Sequence, residues 1–295
     1  MTTATKRISA VNKLQVLQAP ALKEIPWLIH GFSTRPGGTT NCYGGKSLNL
    51  GFTQDDSRDN VEKNRRRFLV ALGAASAGHP WPLVGLRQVH SDIIHIVKSP
   101  MPEPLAGDGL ITNFPGIALS VMTADCLPVM LVDRKNSAVG VFHAGWRGTA
   151  QRIVEKGLGI MRREFGSAPQ DIAGVIGPGI GKCCYEVGEE LKTKFESQFA
   201  YASDLFHEVF DSDPVREKYP MLFMNARAPG HGDTGPKLHL DLAEANRRQL
   251  LAVGIPENQI TVLGQCTACD TRKFFSHRAE KGKTGRMMAV VGIRS

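Results

Sequence analysis

Three side chains with the chemistry of soft-metal ligands interrupt apolar runs of this chain. His90 ends the run Leu83-Val-Gly-Leu-Arg-Gln-Val-His90, Cys126 lies within residues 118–133, and His143 lies within residues 139–148. One thiolate and two imidazoles suit zinc, with a fourth position open for water or substrate. Their neighbours strengthen that reading. Gln88 precedes His90, Asp125 precedes Cys126, and Gly145-Trp-Arg-Gly148 follows His143, so polar or loop residues stand where a core strand should continue. The same residues permit other assignments. The spacings from 90 to 126 and from 126 to 143 match no short metal motif, and free Cys packs well in cores. Cys126 could also be a nucleophile with His90 or His143 as its base. Asp125 suits proton handling.

A second group of residues suits an anion. Arg35 precedes Pro36-Gly-Gly38, whose backbone amides can approach a phosphate closely. Arg147 stands just before an expected helix N-terminus, a natural anion site. Arg278 follows Phe274-Phe-Ser-His277. Together the three form a plausible phosphate cradle, although each could be a surface salt-bridge partner. Cys266-Thr-Ala-Cys269 has redox or zinc spacing, and Cys183-Cys184 could complete four ligands. Cysteine zinc sites normally use two Cys-x-x-Cys knuckles, so these read as thiols without metal. Gly177-Pro-Gly-Ile-Gly181 lacks the pattern of a P-loop or a dinucleotide fingerprint. Gly-x-Ser-x-Gly is absent, which argues against a serine hydrolase.

The elements that must position these groups mix strands and helices. Strands are expected at residues 28–33, 107–112, 172–179, 260–264 and 286–293, and one long strand or hairpin at 83–97. Residues 118–133 and 139–148 read as paired strands joined by the turn-like 133–137, which would set Cys126 and His143 on adjacent antiparallel strands. Helices are expected at 57–73, capped by Ser57 or Asp59 and stopped by Gly73, at 149–166 with Thr149 as cap, and at 187–199 and 241–254. Residues 207–237 carry little regular signal and read as an excursion or lid. Without strict alternation the fold class is α/β (α+β), a layered sandwich of mixed β-sheets flanked by helices. No repeat or linker divides it, so a single domain over 25–295 follows an N-terminal extension at 1–24.

Composition limits the alternatives. Apolar residues at 42% and charged residues at 22% are ordinary for a soluble protein. No apolar run approaches the ~20 residues of a membrane span, and the polar Met1–Arg7 with the Ile8-Ser-Ala-Val-Asn-Lys13 that follows forms no signal-peptide apolar region, so a soluble cytoplasmic protein is expected. Six cysteines in 295 residues do not suggest a disulfide framework. The net charge of +8 favours anionic partners. The basic residues are dispersed and no nucleic-acid motif accompanies them, so a small phosphate-bearing or phosphate-requiring substrate suits the charge better than a polynucleotide.

Beyond these local arguments, the chain resembles the laccase-domain or polyphenol-oxidase family, regarded as purine nucleoside phosphorylases and in some bacteria called peptidoglycan editing factor. The resemblance rests on His30-Gly-Phe-Ser-Thr-Arg-Pro-Gly-Gly38, Ser47-Leu-Asn-Leu50, Gln88-Val-His90, Gly107-Asp-Gly-Leu-Ile-Thr112 and Thr123-Ala-Asp-Cys-Leu-Pro128. It continues through His143-Ala-Gly-Trp-Arg-Gly148, Gly177-Pro-Gly-Ile-Gly-Lys-Cys-Cys-Tyr-Glu-Val187, Asp241-Leu242, Cys266-Thr267 and Phe274-Phe-Ser276. His277 departs from the pattern, since the family usually has Tyr before the arginine; Arg278 keeps its place. The resemblance implies zinc on His90, Cys126 and His143. It also implies phosphorolysis of adenosine, inosine, guanosine and methylthioadenosine with inorganic phosphate, plus some adenosine deamination. Substrate and phosphate contacts are expected from Arg35, Asn49, Arg147 and Arg278. Copper could load such a site in vitro, because it outcompetes zinc for N/S ligands. A multicopper oxidase would need clustered His-x-His ligands, which the sequence lacks. A cysteine hydrolase of peptidoglycan precursors and a non-enzymatic binding module are the remaining alternatives.

Overall fold

The computed structural model describes residues 13–76, 79–101, 103–209 and 236–294. These gather into two compact units, one ending at Gly181 and resuming at Leu242, the other spanning Lys182–Asp241. The larger unit opens with β1 (Val16–Leu17), α1 (Pro20–Lys23), β2 (Leu28–Ser33), β3 (Pro36–Thr40) and α2 (Arg58–Leu72). The short strands β4 (Ala75–Ser76), β5 (His79–Pro80), β6 (Leu83–Val84) and β7 (Ile94–Ile96) follow. Then come β8 (Gly109–Thr112), β9 (Ala118–Thr123), β10 (Leu127–Asp133) and β11 (Ala138–Ala144). Helices α3 (Trp146–Ala150) and α4 (Ile153–Phe165) lead to β12 (Ile172–Ile176). The smaller unit contains α5 (Glu189–Glu196), β13 (Phe206–Val209) and β14 (Lys237–Leu240). Back in the larger unit, α6 (Leu242–Ala252), β15 (Ile260–Val262) and β16 (Met287–Ile293) complete the described chain.

Two mixed sheets form the larger unit, in the orders β1-β2-β16-β9-β6 and β15-β12-β10-β11-β8-β7. Their facing sides share one apolar cluster: Phe32, Leu119, Val121 and Val291 from the first meet Leu110, Met130, Val132, Val141 and Val175 from the second. The outer face of the first sheet is covered by Phe68, Leu69 and Leu72 of α2, packed on Ile29, Met288 and Val290. Each such side chain contributes about 1.5–3 kcal/mol by leaving water. Ser57 caps α2 by accepting the Asn60 amide, and Gly73 closes it at φ 79°, as the sequence predicts. The mixed sheets flanked by helices are those expected. Val16–Leu17, within the segment read as an extension, pairs with β2 at the edge of the first sheet. In the smaller unit Phe195 is fully buried against Phe199 and Phe206, and β13 pairs with β14. These strands lie at the two ends of the stretch read as an excursion or lid; residues 210–235 lie outside the described residues.

Three expected elements divide where the site is built. Residues 83–97 are not one strand or hairpin: β6 pairs with β9 in the first sheet and β7 with β8 in the second, and the connection between them carries His90. Residues 118–133 are likewise two strands. β9 belongs to the first sheet and β10 to the second, and Ala124-Asp-Cys126 crosses from one to the other. Both strands are covered on both faces, so the apolar run continues through the crossing and periodicity does not mark it. The helix expected at 149–166 begins at Trp146 and breaks at Arg152, where φ is 61°. Thr149 is buried inside it rather than capping it: Asn246 donates to its hydroxyl at 3.0 Å and Gln249 to its carbonyl at 2.8 Å.

Candidate metal centre

The β10–β11 hairpin sets two of the ligands side by side. Leu127 pairs with Ala144 and Pro128 with His143, so Cys126 leaves β10 level with Gly145. The turn at the other end is fixed by Asp133, which accepts the Lys135 and Asn136 amides, both at 2.9 Å. Gly145 passes so close that an added Cβ would lie 2.9 Å from Cys126 Sγ and 3.3 Å from His90 Cδ2. Ligand atoms of His90, Cys126 and His143 all fall within 4.8 Å of one another, with Cys126 Sγ 3.9 Å from His90 Nε2. The two imidazoles stand edge to face at 4.9 Å between centroids. Ligands on a tetrahedral zinc stand roughly 3.5 Å apart, so this thiolate–imidazole set fits a soft divalent ion with little movement. His90 is exposed, Cys126 half-buried and His143 buried, which leaves one side open.

Backbone strain is present at the same place. His90 has φ 59° and Asp125 φ 100°, in the region that favours glycine. Such conformations cost roughly 1–3 kcal/mol each and persist only where surrounding bonds over-determine them. Those bonds are present. Gln88 accepts the Met122 amide at 2.7 Å and donates to the Met122 carbonyl at 2.9 Å, tying the His90 loop to β9. Asp108 Oδ2 accepts the amides of Val89 at 3.2 Å and Ser91 at 2.6 Å and the Ser91 hydroxyl at 2.8 Å. On the other side, Asp125 accepts the Thr267 hydroxyl at 2.6 Å and the Arg278 amide at 2.7 Å, while its carbonyl accepts the Ile180 amide at 2.7 Å.

The charges are arranged to ionise the thiol. Burial alone would raise the Cys126 thiol; the charge and hydrogen bond of His143, then those of His90, outweigh it and bring it down to about 6. Burial would lower His143, but the Cys126 thiolate and the Asp108 carboxylate raise it to about 9. Asp108, which burial would raise, falls to about 2 under the hydrogen bonds of His143 and Ser91. His143 Nδ1 lies 2.8 Å from Asp108 Oδ1, which leaves Nε2 as its ligand nitrogen. Without metal, these mutual shifts favour the Cys126 thiolate beside a protonated His143.

The expected phosphate ligands separate into two kinds. Arg35 donates to the Thr271 carbonyl at 2.6 Å and the Tyr43 carbonyl at 2.5 Å, pairs with Glu280 at 2.9 Å and lies over Phe275. Asn49 is fully buried, donates to Gly51 and Asp56, and accepts the Gly51 and Arg286 amides. The terminal nitrogens of Arg35 and both side-chain amide atoms of Asn49 are engaged by other groups of the protein. Arg147 is exposed, with its guanidinium 4.5 Å from the Trp146 ring centroid, and Arg278 is exposed beside the Asp125 clamp. Sequence reasoning missed Asp108 and Thr267 as parts of the site. The signal for Asp108 was its setting between Gly107 and Gly109: an added Cβ on Gly107 would stand 3.0 Å from the Ile93 carbonyl.

A layered α/β sandwich carrying a His–Cys–His cluster that could hold a metal ion is the arrangement of the laccase-domain class. The chain belongs to that family: residues 29–294 match the family model described as multi-copper polyphenol oxidoreductase laccase. It is 36% identical over 286 residues to the purine nucleoside phosphorylase YlmD of Geobacillus stearothermophilus, covering 91% of this chain and 94% of the relative. It is 34% identical to the purine nucleoside phosphorylase YfiH of Escherichia coli, covering 84% and 86%. The solved structure of the Bacillus licheniformis hypothetical protein YfiH superposes with a TM-score of 0.78 at 33% identity, over 96% of this chain and 100% of that one. Among the described residues no helix is long and apolar enough to cross a membrane.

Proposed function

We propose that this chain is a zinc-dependent purine nucleoside phosphorylase. It would cleave adenosine, inosine, guanosine or methylthioadenosine with phosphate to the free base and the (methylthio)ribose 1-phosphate, with adenosine deamination as a side activity. The observation that carries this is the convergence of His90, Cys126 and His143 on one partly open point, in a chain whose relatives bear the name purine nucleoside phosphorylase.

In phosphorolysis a phosphate oxygen bonds to the sugar C1′, the glycosidic bond breaks, and the base leaves with a proton. Arg147 and Arg278 are the arginines to hold the phosphate. Both are exposed, one just past Gly145 and the other on the residue whose amide clamps Asp125 beside Cys126. Arg35 and Asn49 act from behind, by fixing the loops around them. Asp125, bonded at both oxygens, holds the strained turn that presents Cys126. Asp108 keeps the proton on His143 Nδ1. When bound, zinc supplies Lewis-acid chemistry and makes water a nucleophile at neutral pH, as deamination requires.

The test is incubation of zinc-loaded protein with adenosine and inosine, with and without phosphate, measuring base and ribose 1-phosphate. Release that depends on phosphate and is lost in Cys126→Ala is expected. Phosphate-independent release, or none, overturns the proposal. The depressed Cys126 thiol beside an imidazolium also favours a second reading, a cysteine hydrolase acting on peptidoglycan precursors. Chelation separates the two, since it would stop the phosphorylase and leave a thiol hydrolase active.

A further inference from the structure

We propose that Asp108 is the positioning residue for two metal ligands at once, orienting His143 through its ring and His90 through the backbone on either side of it. The inference rests on the reading that the cluster holds a soft divalent metal; it does not depend on which reaction follows.

Its two carboxylate oxygens have separate tasks. Oδ1 meets His143 Nδ1 at 2.8 Å, which fixes the ring's tautomer and rotation with Nε2 as the ligand. Oδ2 gathers three donors from the segment that carries His90: the Val89 amide, the Ser91 amide and the Ser91 hydroxyl. With His90 at φ 59°, the amides before and after it turn toward the same point, the kind of concavity that binds an anion. Here the anion is a side chain of the same protein. The Asp108 backbone bridges the same two segments again, since its amide donates to Ile93 at 2.9 Å and its carbonyl accepts the His143 amide at 2.7 Å. Asp108 is fully buried, so no water substitutes for either set of bonds. Asparagine in its place could accept from His143 or from the Ser91 segment, but its amide nitrogen would then face donors on the other side.

The comparison residue is Asp133, equally buried and also an acceptor of backbone amides, but at the opposite end of the β10–β11 hairpin. If Asp108 served only the fold, the two asparagine variants would behave alike. The experiment measures zinc affinity of the full chain by competition with a chromophoric chelator, and the absorption spectrum of the cobalt(II)-substituted protein, which reports ligand number and geometry. Asp108→Asn is expected to weaken zinc about 10–100-fold and to alter the cobalt bands. Ser91→Ala should shift both in the same direction by less. Asp133→Asn should lower the melting temperature and leave metal affinity and the cobalt spectrum unchanged. Asp108→Asn with wild-type affinity and spectrum overturns the proposal, as does an equal loss of affinity in Asp133→Asn. Should Asp108→Asn fail to fold, Ser91→Ala decides, and wild-type metal binding in that variant overturns the proposed role at His90. Wild-type protein that binds no zinc would instead overturn the metal reading itself. Absent phosphorolysis alongside the expected affinities would overturn only the proposed reaction.

Discussion

Asp108 and Asp125 are both buried aspartates beside the proposed metal ligands, yet they reach the site from different distances along the chain. Asp108 lies within 35 residues of every partner, and one oxygen touches a ligand directly. Asp125 touches no ligand through its carboxylate. It precedes Cys126 in a turn at φ 100°, and its oxygens are held by Thr267 and Arg278, 142 and 153 residues away. The imidazole half of the site is thus assembled from segments close together in sequence, with the His90 loop passing from the first sheet to the second. The thiolate half waits for the C-terminal segment to close over the crossing between sheets. Contacts of long sequence separation carry the larger loop-closure cost, so the thiolate half should be the more sensitive to damage elsewhere in the fold, and the imidazole half the more sensitive to damage at the ligands.

One position belongs to both halves, and changing it should have the largest effect. Gly145 has an ordinary φ of −72°, so glycine is not needed there for backbone freedom. It is needed for space, because a Cβ would meet Cys126 Sγ at 2.9 Å and His90 Cδ2 at 3.3 Å. Overpacking of this kind typically costs about 1–3 kcal/mol, and here the atoms that must yield are ligand side chains. Gly145→Ala is expected to bind zinc at well under one ion per chain and to lose turnover, while the metal-free protein still folds, with its melting temperature lowered by a few degrees at most. Wild-type zinc content in that variant, measured by atomic emission after dialysis, would break the picture of two halves meeting at this glycine.

A smaller effect is expected from Thr267→Val, which keeps the shape and removes the hydroxyl donating to Asp125. A buried carboxylate oxygen left without that partner costs about 1–3 kcal/mol. Because Thr267 acts through the Asp125 turn, the change should appear in the thiolate-to-cobalt charge-transfer band, with a fall in melting temperature and a loss of zinc affinity below that of Asp108→Asn. Equal losses of affinity in the two variants would erase the distinction between a support that touches a ligand and one that acts through the turn before it.

The same distinction explains what the sequence made legible. His90, Cys126 and His143 stood out because each is a polar residue set into or ending an apolar run, and local pattern carries that information. Ser57 and Gly73 announced α2 for the same reason. The crossing at 124–126 did not announce itself, because β9 and β10 are each covered on both faces and no polar alternation marks the change of sheet. Thr267 was silent, since nothing local in Cys266-Thr-Ala-Cys269 says that its hydroxyl faces an aspartate far back in the chain. Arg35 was read as a phosphate ligand from its glycine neighbours, but its partners at Thr271 and Glu280 come from the C-terminal segment, which local pattern does not register. Asp108 fell between these cases: its glycine neighbours were visible, and the convergence of amides on it was not.

The smallest predicted effect concerns protons rather than metal. In the metal-free protein Cys126 is lowered to about 6 by His143, which Asp108 helps to keep charged. A lowered thiol value means that the nucleophilic thiolate is present above about pH 6 and disappears below it. Iodoacetamide labelling of Cys126, followed by peptide mass spectrometry to separate it from exposed Cys42, Cys183 and Cys269, should therefore reach half its maximal rate near pH 6 and level off by about pH 8. That midpoint belongs to the Cys126–His143 pair. Asp108→Asn removes a carboxylate that raises His143, so the imidazolium weakens and the Cys126 midpoint should move to higher pH. Thr267→Val leaves His143 and Asp108 untouched and should leave the midpoint in place even as it lowers stability. A midpoint that moves with Thr267→Val, or stays fixed with Asp108→Asn, would mean that the charge of the site is not set by the imidazole half alone.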